Sequence, residues 1–570
     1  MRAGVVSRQQ DGVVAGGVER AARDVGEAGV FQHLARLERD VAKLEEFGRF
    51  LHASLLITSL GARPLLPFRT TYSFWLVRAA LLRGVGLVYL VAFAILVRQG
   101  PALLGEHGVL PVVRFLDAVA AQLGSRVAWF CQLPSVFWIS ASDGWLSAGA
   151  WLVLVASVAL LAGYGNALLL GLLWALYLSF THVGQIFWGY GWDSLLCEAG
   201  FLAIFLAPVW RPRELDERSP PPLIVIVLFR WLSFRIMFGA GLIKLRGDAC
   251  WTDLTCLAYH YETQPNPGPL SPLFHAAPLW FHEGGALFNH LVEVLVPFGV
   301  FGPRKLRAVC GALIIAFQSI LILSGNLSFL NWLTLILALA CFDDAQLLRL
   351  LPVKLRARLS ARLEGLSLAK PTRARHVTTI ALAVVVGLLS LNPVVNLLSP
   401  RQAMNASFEP FNLVNTYGAF GSVSRERYEV VIEGTSDAVV SESTRWREYV
   451  LPCKPGPTGR RPCWITPYHY RLDWQLWFVP LSPDYNFRWF VSLTNKLLHG
   501  DARVLALFAD NPFPERPPRF VRAVFYRYRF SRPGEAGVWQ RAPAGQYLPP
   551  TSLDDPELER ALRAYGLGER

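Results

Sequence analysis

Apolar runs long enough to cross a bilayer recur along this chain, separated by short polar connectors. A helix needs roughly 17 to 25 residues to cross about 30 Å of hydrocarbon. Runs of that order lie near 74–97, 145–163, 166–188, 192–210, 222–245, 286–302, 306–323, 326–342 and 376–398. They predict a polytopic α-helical membrane bundle of about nine spans over residues 71–398. The apolar stretch 109–140 fits a re-entrant or interfacial piece. Residues 1–70 are polar, and "HLARLERDVAKLEEFGRFL" spaces Leu and Val as an amphipathic surface helix does, a pattern a solvated tail also tolerates. No apolar core with a cleavage site occurs there, so no removable signal peptide is expected. Beyond 399 the pattern changes. "RYEVVIEG", "RWREYVLP", "FVRAVFYRYRF" and "VWQRA" alternate apolar with polar residues, as half-buried strands do. "WFVSLTNKLLHGDARVLALFA" reads as a helix or a helix pair. A soluble, β-rich α+β domain is therefore expected over 399–570.

Composition agrees: 53% of the 570 residues are hydrophobic and only 17% charged, and the 19 Trp suit membrane–water interfaces. The net charge of +13 does not indicate nucleic acid, because the basic residues sit in short connectors and form no basic stripe interleaved with stacking aromatics. They set topology instead. "RPRELDER", "GPRKLR" and the loop 345–375 are separated by two spans each and fall on one side, which the positive-inside rule makes cytoplasmic. The basic tail 1–70 joins them. The segments 98–144 and 246–285 and everything after 399 are then exoplasmic. Two cysteine pairs land there, Cys250 with Cys256 and Cys453 with Cys463, where disulfides persist. Cys197, Cys310 and Cys341 fall in or beside spans and read as buried, inert thiols.

Five blocks carry a family resemblance: "YGWDSLLCEAGFLAIFLAP", "RIMFGAGLIKLRGDACWTDLTCLAYHYETQPNPGPLS", "WFHEGGALFNHLVEVLVPF", "NTYGAFGSVSRERYEVVIEG" and "LPCKPGPTGRRPCWITPYHYRLDWQLWF". From about residue 70 to the carboxyl end the chain resembles the lipase maturation factor family. The resemblance implies a membrane-anchored maturation factor whose carboxyl-terminal domain contacts secreted clients such as lipases. It implies the endoplasmic reticulum membrane in a eukaryote, the inner membrane in a bacterium, and a lumenal or periplasmic carboxyl-terminal domain.

Ionisable residues within or at the ends of spans are costly and usually face a partner or a wet cavity. His182, Asp193, Glu198, Arg235, Lys244, His290 and Glu293 form this set. Acids on the fourth and sixth runs are placed to pair with bases on the fifth. That pairing locks helices together; the competing reading is a functional cavity in which Lys244 acts as a base, assisted by His290 or Glu293. A fold-level likeness to vitamin K-dependent carboxylases keeps that membrane-embedded enzyme as the alternative. The loop 246–285 concentrates Arg246, Asp248, Trp251, Asp253, His260 and Glu262 and reads as a stapled, rigid cap. Asp248 or Asp253 is expected to cap its short helix. Metal binding by His260, Glu262, His275 and His282 is disfavoured, and no cofactor is implied. Tyr468, His469, Arg471, Asp473 and Trp474 are candidates for client contact if exposed, and for domain core if buried. Arg425, Glu426 and Arg427 read as a solvated strand edge. The preferred function is a non-enzymatic assembly factor in contact with membrane lipid. A transporter is weaker, since no internal repeat appears.

Overall fold

The computed structural model describes residues 73–568 other than 212, 214–218, 365 and 367–371. The amphipathic helix expected within 1–70 lies outside the described residues. Among the described residues, five helices are long and apolar enough to cross a membrane: Trp75–Leu104, Asp143–Leu161, Leu223–Arg246, Arg304–Ser324 and Arg373–Leu398. Two shorter apolar helices, Ala167–Val183 and Leu330–Cys341, accompany them. The fourth expected run forms Gly191–Leu206, whose 16 residues rise only about 24 Å at 1.5 Å per residue. The sixth run is broken. Leu279–His290 passes into a π-helical turn, Leu291–Leu295, followed by Val296–Gly299. The apolar runs are thus five full-length spans with shorter helices among them. Gly191–Leu206 and Leu330–Ala338 are largely covered by protein, so lipid thickness does not dictate their length.

Local chemistry sets several helix starts. Asn166 Oδ1 accepts the Leu169 N–H at 2.9 Å. The first span starts on a carboxylate from far along the chain: Asp344 accepts the N–H groups of Trp75 (2.7 Å) and Leu76 (2.8 Å). An anion there meets unpaired N–H groups and the positive end of the helix dipole. In the 109–140 stretch, Val112–Leu123 buries only Val112 and Leu116, and Arg126–Gln132 buries no residue.

The carboxyl-terminal part is α+β. Its four-stranded antiparallel sheet runs β2-β1-β3-β4, with β1 Arg427–Thr435, β2 Arg447–Glu448, β3 Phe520–Phe530 and β4 Trp539–Thr551. The strand expected from "RWREYVLP" shrinks to β2, and its Tyr449 and Leu451 enter the core instead. The "WFVSLTNKLLHGDARVLALFA" stretch gives Pro483–Leu498 and Ala502–Leu505. The helix Arg471–Phe478 buries Arg471 through Leu476.

Candidate functional site

The ionisable residues singled out from the sequence are buried or half-buried, and each finds a partner within the protein. Glu198, on Gly191–Leu206, meets Arg235 of Leu223–Arg246. The Glu198 carboxylate also accepts the Asn415 N–H at 3.0 Å and the Tyr417 hydroxyl at 2.8 Å. Arg235 returns to the same segment by donating to the Asn415 carbonyl at 2.5 Å. Residues 415–417 are thereby held against the bundle by both members of one ion pair.

Lys244 donates to both oxygens of Glu293 at 2.7 Å and lies 5.0 Å from the centre of the Trp251 ring. The π turn carries Glu293, and such turns re-aim side chains at functional positions. Gly241 lets the two helices approach, since a Cβ there would sit 3.1 Å from the Glu293 backbone carbon and 2.7 Å from Val294. Lys244 is fully engaged by a carboxylate, which is the arrangement of a structural pair; the reading of Lys244, His290 and Glu293 as a catalytic group gains nothing from this geometry. His290 points elsewhere, with Nε2 2.9 Å from the Trp251 carbonyl. His182 likewise bonds the Pro410 carbonyl at 2.7 Å.

Asp193 does not pair with the fifth run. Its partner is Arg471, from the carboxyl-terminal part, at 2.7 and 2.8 Å. The Arg471 guanidinium stacks 4.1 Å from the Trp188 ring centre and donates to the Phe187 carbonyl at 2.6 Å. Tyr177 donates its hydroxyl to Asp193 at 2.6 Å. Around this bolt, Gln99 bonds the Tyr468 hydroxyl, the His469 carbonyl and the Arg471 N–H. Ser328 Oγ lies 2.7 Å from His469 Nδ1, and burial, with the Arg471 charge adding to it, drives that imidazole's pKa well down. Asp473 accepts the Cys453 and Lys454 N–H groups at 2.8 Å each, while burial pushes its carboxyl up to about 6. Trp474 packs on Trp192. His469, Arg471, Asp473 and Trp474 are buried and Tyr468 is half-buried. These residues seat the carboxyl-terminal part on the bundle and are not presented as an exposed client patch, because the aromatic and charged side chains find their partners on the membrane helices.

The cap is fastened separately. Cys250 and Cys256 are disulfide-bonded with Cα atoms 4.7 Å apart, as are Cys453 and Cys463 at 5.6 Å. Asp248 caps Ala249–Thr252 through the Cys250 N–H (3.1 Å) and pairs with Arg425 at 2.8 Å, which lowers its carboxyl to about 2. Asp253 is exposed and caps nothing. Arg246 donates to the Leu397 (2.6 Å) and Ser399 (3.0 Å) carbonyls at the end of the last span. Arg427, expected to be solvated, is 1% exposed. It donates to the Glu262, Gln264 and Pro265 carbonyls at 2.8, 2.5 and 2.9 Å and pairs with Glu429. Alternation alone could not reveal this, because the acceptors are loop carbonyls with no sequence signature. Glu262 accepts the Phe530 N–H at 2.6 Å. Burial, reinforced by the Lys244 charge, holds the His260 imidazole down to about 3. Among the described residues, no group of three or more His, Cys, Asp or Glu is placed to hold a metal ion.

Between the cap and the bundle lies a cavity of about 380 Å³. It is mostly apolar, with Lys244, Glu293, His260, Asn289 and Asn331 in its wall. The cavity expected as the competing reading around Lys244 and Glu293 is present, but His290 is not in its wall, and the remaining walls come from segments far apart in the chain that the sequence does not bring together.

A model of the lipase maturation factor transmembrane domain matches residues 76–349, and one of the lipase maturation factor C-terminal domain matches 413–549. The chain is 47% identical to lipase maturation factor 1 of Bos taurus over 515 residues, 86% of this chain and 91% of that protein. The human lipase maturation factor 1 is 45% identical over 506 residues, 85% and 89% of the two chains. The human lipase maturation factor 2 is 33% identical over 611 aligned positions, covering 86% and 85%. No solved structure matches.

Proposed function

This chain belongs to the lipase maturation factor family, and from that premise we propose that it is an integral membrane maturation factor for secreted, lipase-like clients, with residues 399–570 on the exoplasmic face. The observation that carries the reading is the seating of the carboxyl-terminal part. Arg471 on Asp193 and Arg427 on the 262–265 carbonyls fix it to the bundle, so it acts as a rigid platform rather than a tethered arm. Both disulfides belong to this platform and its cap, which suits an oxidising compartment: the lumen of the endoplasmic reticulum in a eukaryote, the periplasm in a bacterium. No nucleotide is needed; client handling proceeds by binding energy alone.

Because residues 468–474 are occupied internally, the client surface lies elsewhere on the platform. Leu481 and Tyr485 are 48% and 72% exposed. Leu481 borders a recess of about 290 Å³ shared with Arg425, Tyr428, Trp477 and Pro480. Such a mixed apolar and charged recess suits a partly folded chain. Photo-crosslinkers at Leu481 and at buried Trp474, in membranes from cells secreting a lipase, provide the test. Capture of the lipase from position 481 but not 474 supports the proposal. Capture from neither, or protease access to residues 399–570 from the cytosolic side of sealed vesicles, sinks it.

A further inference from the structure

The cavity beneath the cap is not explained by seating a domain. Its floor includes Ala240 and Lys244 of Leu223–Arg246, its sides come from Leu279–His290 and Arg304–Ser324, and Phe420 closes it from above. At about 380 Å³ it falls within the range of small-molecule sites. Close-packed interiors rarely leave such space. An empty apolar void of this size costs stability through lost contacts, so an occupant relieves a penalty already present.

Three observations define the occupant. The wall is open beside Gly284: this residue is exposed, a Cβ there would meet no heavy atom within 4 Å, and Trp280 and Ile320, which also line the cavity, are 70% and 40% exposed. An entrance flanked by Trp280, at the end of the cap segment, and Ile320, on the span Arg304–Ser324, sits where the cap meets the bilayer and is placed to admit hydrocarbon. The cavity also carries no net charge, because Lys244 and Glu293 neutralise each other and His260 stays uncharged. Finally, the Oδ1 atoms of Asn289 and Asn331 are buried in the lining without a hydrogen-bond partner, in residues 5% and 2% exposed. A buried polar atom left unpaired costs roughly 1–3 kcal/mol, so a hydrogen-bond donor brought by an occupant is stabilising at each of these oxygens.

We propose that this cavity binds a neutral, single-chain lipid of the monoacylglycerol type, its hydrocarbon entering past Gly284 and its hydroxyl head bonding Asn289 and Asn331. The chain fills the apolar volume, and the hydroxyls donate to the two amide oxygens. A phosphate head is rejected, since it would bring an unpaired charge beside an ion pair that is already balanced. This inference is independent of the client role.

The test uses the full chain in membranes with a photoactivatable monoacylglycerol, and a photoactivatable lysophosphatidic acid of equal chain length as the comparison. The neutral probe is expected to label peptides from 279–290 and 304–324, and excess unlabelled monoacylglycerol to compete it away. Gly284→Phe places a ring in open space at the entrance and should cut labelling about tenfold. Asn331→Leu provides the second arm: it removes an unpaired buried amide, so the protein should melt no lower than the parent, yet neutral-probe labelling should still fall. Equal labelling by the anionic probe, labelling indifferent to both substitutions, or no labelling of these helices overturns the proposal.

Discussion

Replacing Arg471 with Met is the most informative single perturbation of this protein. The side chain is fully buried, forms a two-point pair with a fully buried Asp193, and lies over Trp188. Methionine keeps much of the packing but leaves the carboxylate without its cation. Breaking a buried pair by removing one partner costs about 3–5 kcal/mol. At about 1.4 kcal/mol per factor of ten, the seated state loses roughly two to three and a half orders of magnitude in population against the unseated one. The Tyr177 hydroxyl still donates to Asp193, which places the expectation near the lower end of that range. Limited proteolysis in detergent reads the effect directly, because unseating exposes the 466–478 segment that Arg471 anchors. The control is Asp193→Asn combined with Arg471→Met. It removes both charges, so it should recover more than half of the loss, giving a coupling energy of roughly 2 kcal/mol or more in a double-mutant cycle. An Arg471→Met protein as protease-resistant as the parent, or a double variant as damaged as the single one, would show that the pair does not hold the platform in place.

Acid should weaken the cap. His260 is neutral in the folded protein down to about pH 3 but binds a proton below about 6.5 when unfolded, so stability is intact above pH 6.5 and declines as pH falls toward 3. Between pH 7.5 and 5.0 the His260 contribution falls by about 2 kcal/mol, read as the difference between parent and His260→Gln thermal melts, because Asp473, held up to about 6, tilts both proteins the other way. Cys453→Ser with Cys463→Ser opens a bridge spanning 10 positions. Chain-entropy arguments put its worth at about 3 kcal/mol, read as a lower denaturation midpoint in non-reducing buffer, with only the Cys250–Cys256 bridge left for added reductant to open. Gly200→Val should fail in the membrane helices themselves, because a Cβ at Gly200 would lie 1.9 Å from the Tyr89 hydroxyl oxygen. Overpacking costs of about 1–3 kcal/mol or more should appear as reduced accumulation of the full chain, with Gly387→Val, where a Cβ meets nothing within 4 Å, as the tolerated control.

Run length made the five long spans legible, and alternation made β1, β3 and β4 legible, because those patterns are local. The same reasoning over-read the sixth run. Hydropathy registers Leu291–Leu295 as continuous helix, while the structure places a π turn and Pro297 there. The intramembrane acids and bases stood out by cost, yet cost does not name partners. Glu198 and Glu293 found the fifth helix, whereas Asp193 reached 278 positions forward to Arg471. The carboxyl-terminal aromatic block stayed open between client surface and buried core, because a single sequence cannot say which part of the molecule will cover it. Arg427 was misread for the same reason: a charge at a strand start is usually wet, and here backbone carbonyls of the cap replace the water.

The distance from Asp193 to Arg471 also imposes a schedule on biosynthesis. At about 5–20 residues per second, the ribosome needs roughly 15 to 60 s to travel those 278 positions. During that interval the nascent helices carry a carboxylate whose counter-ion has not been made. A premature stop anywhere before residue 471 therefore damages the embedded helices as well as removing the carboxyl-terminal part that carries Arg471. Such truncated chains should be cleared by membrane quality control rather than persist as stable anchors.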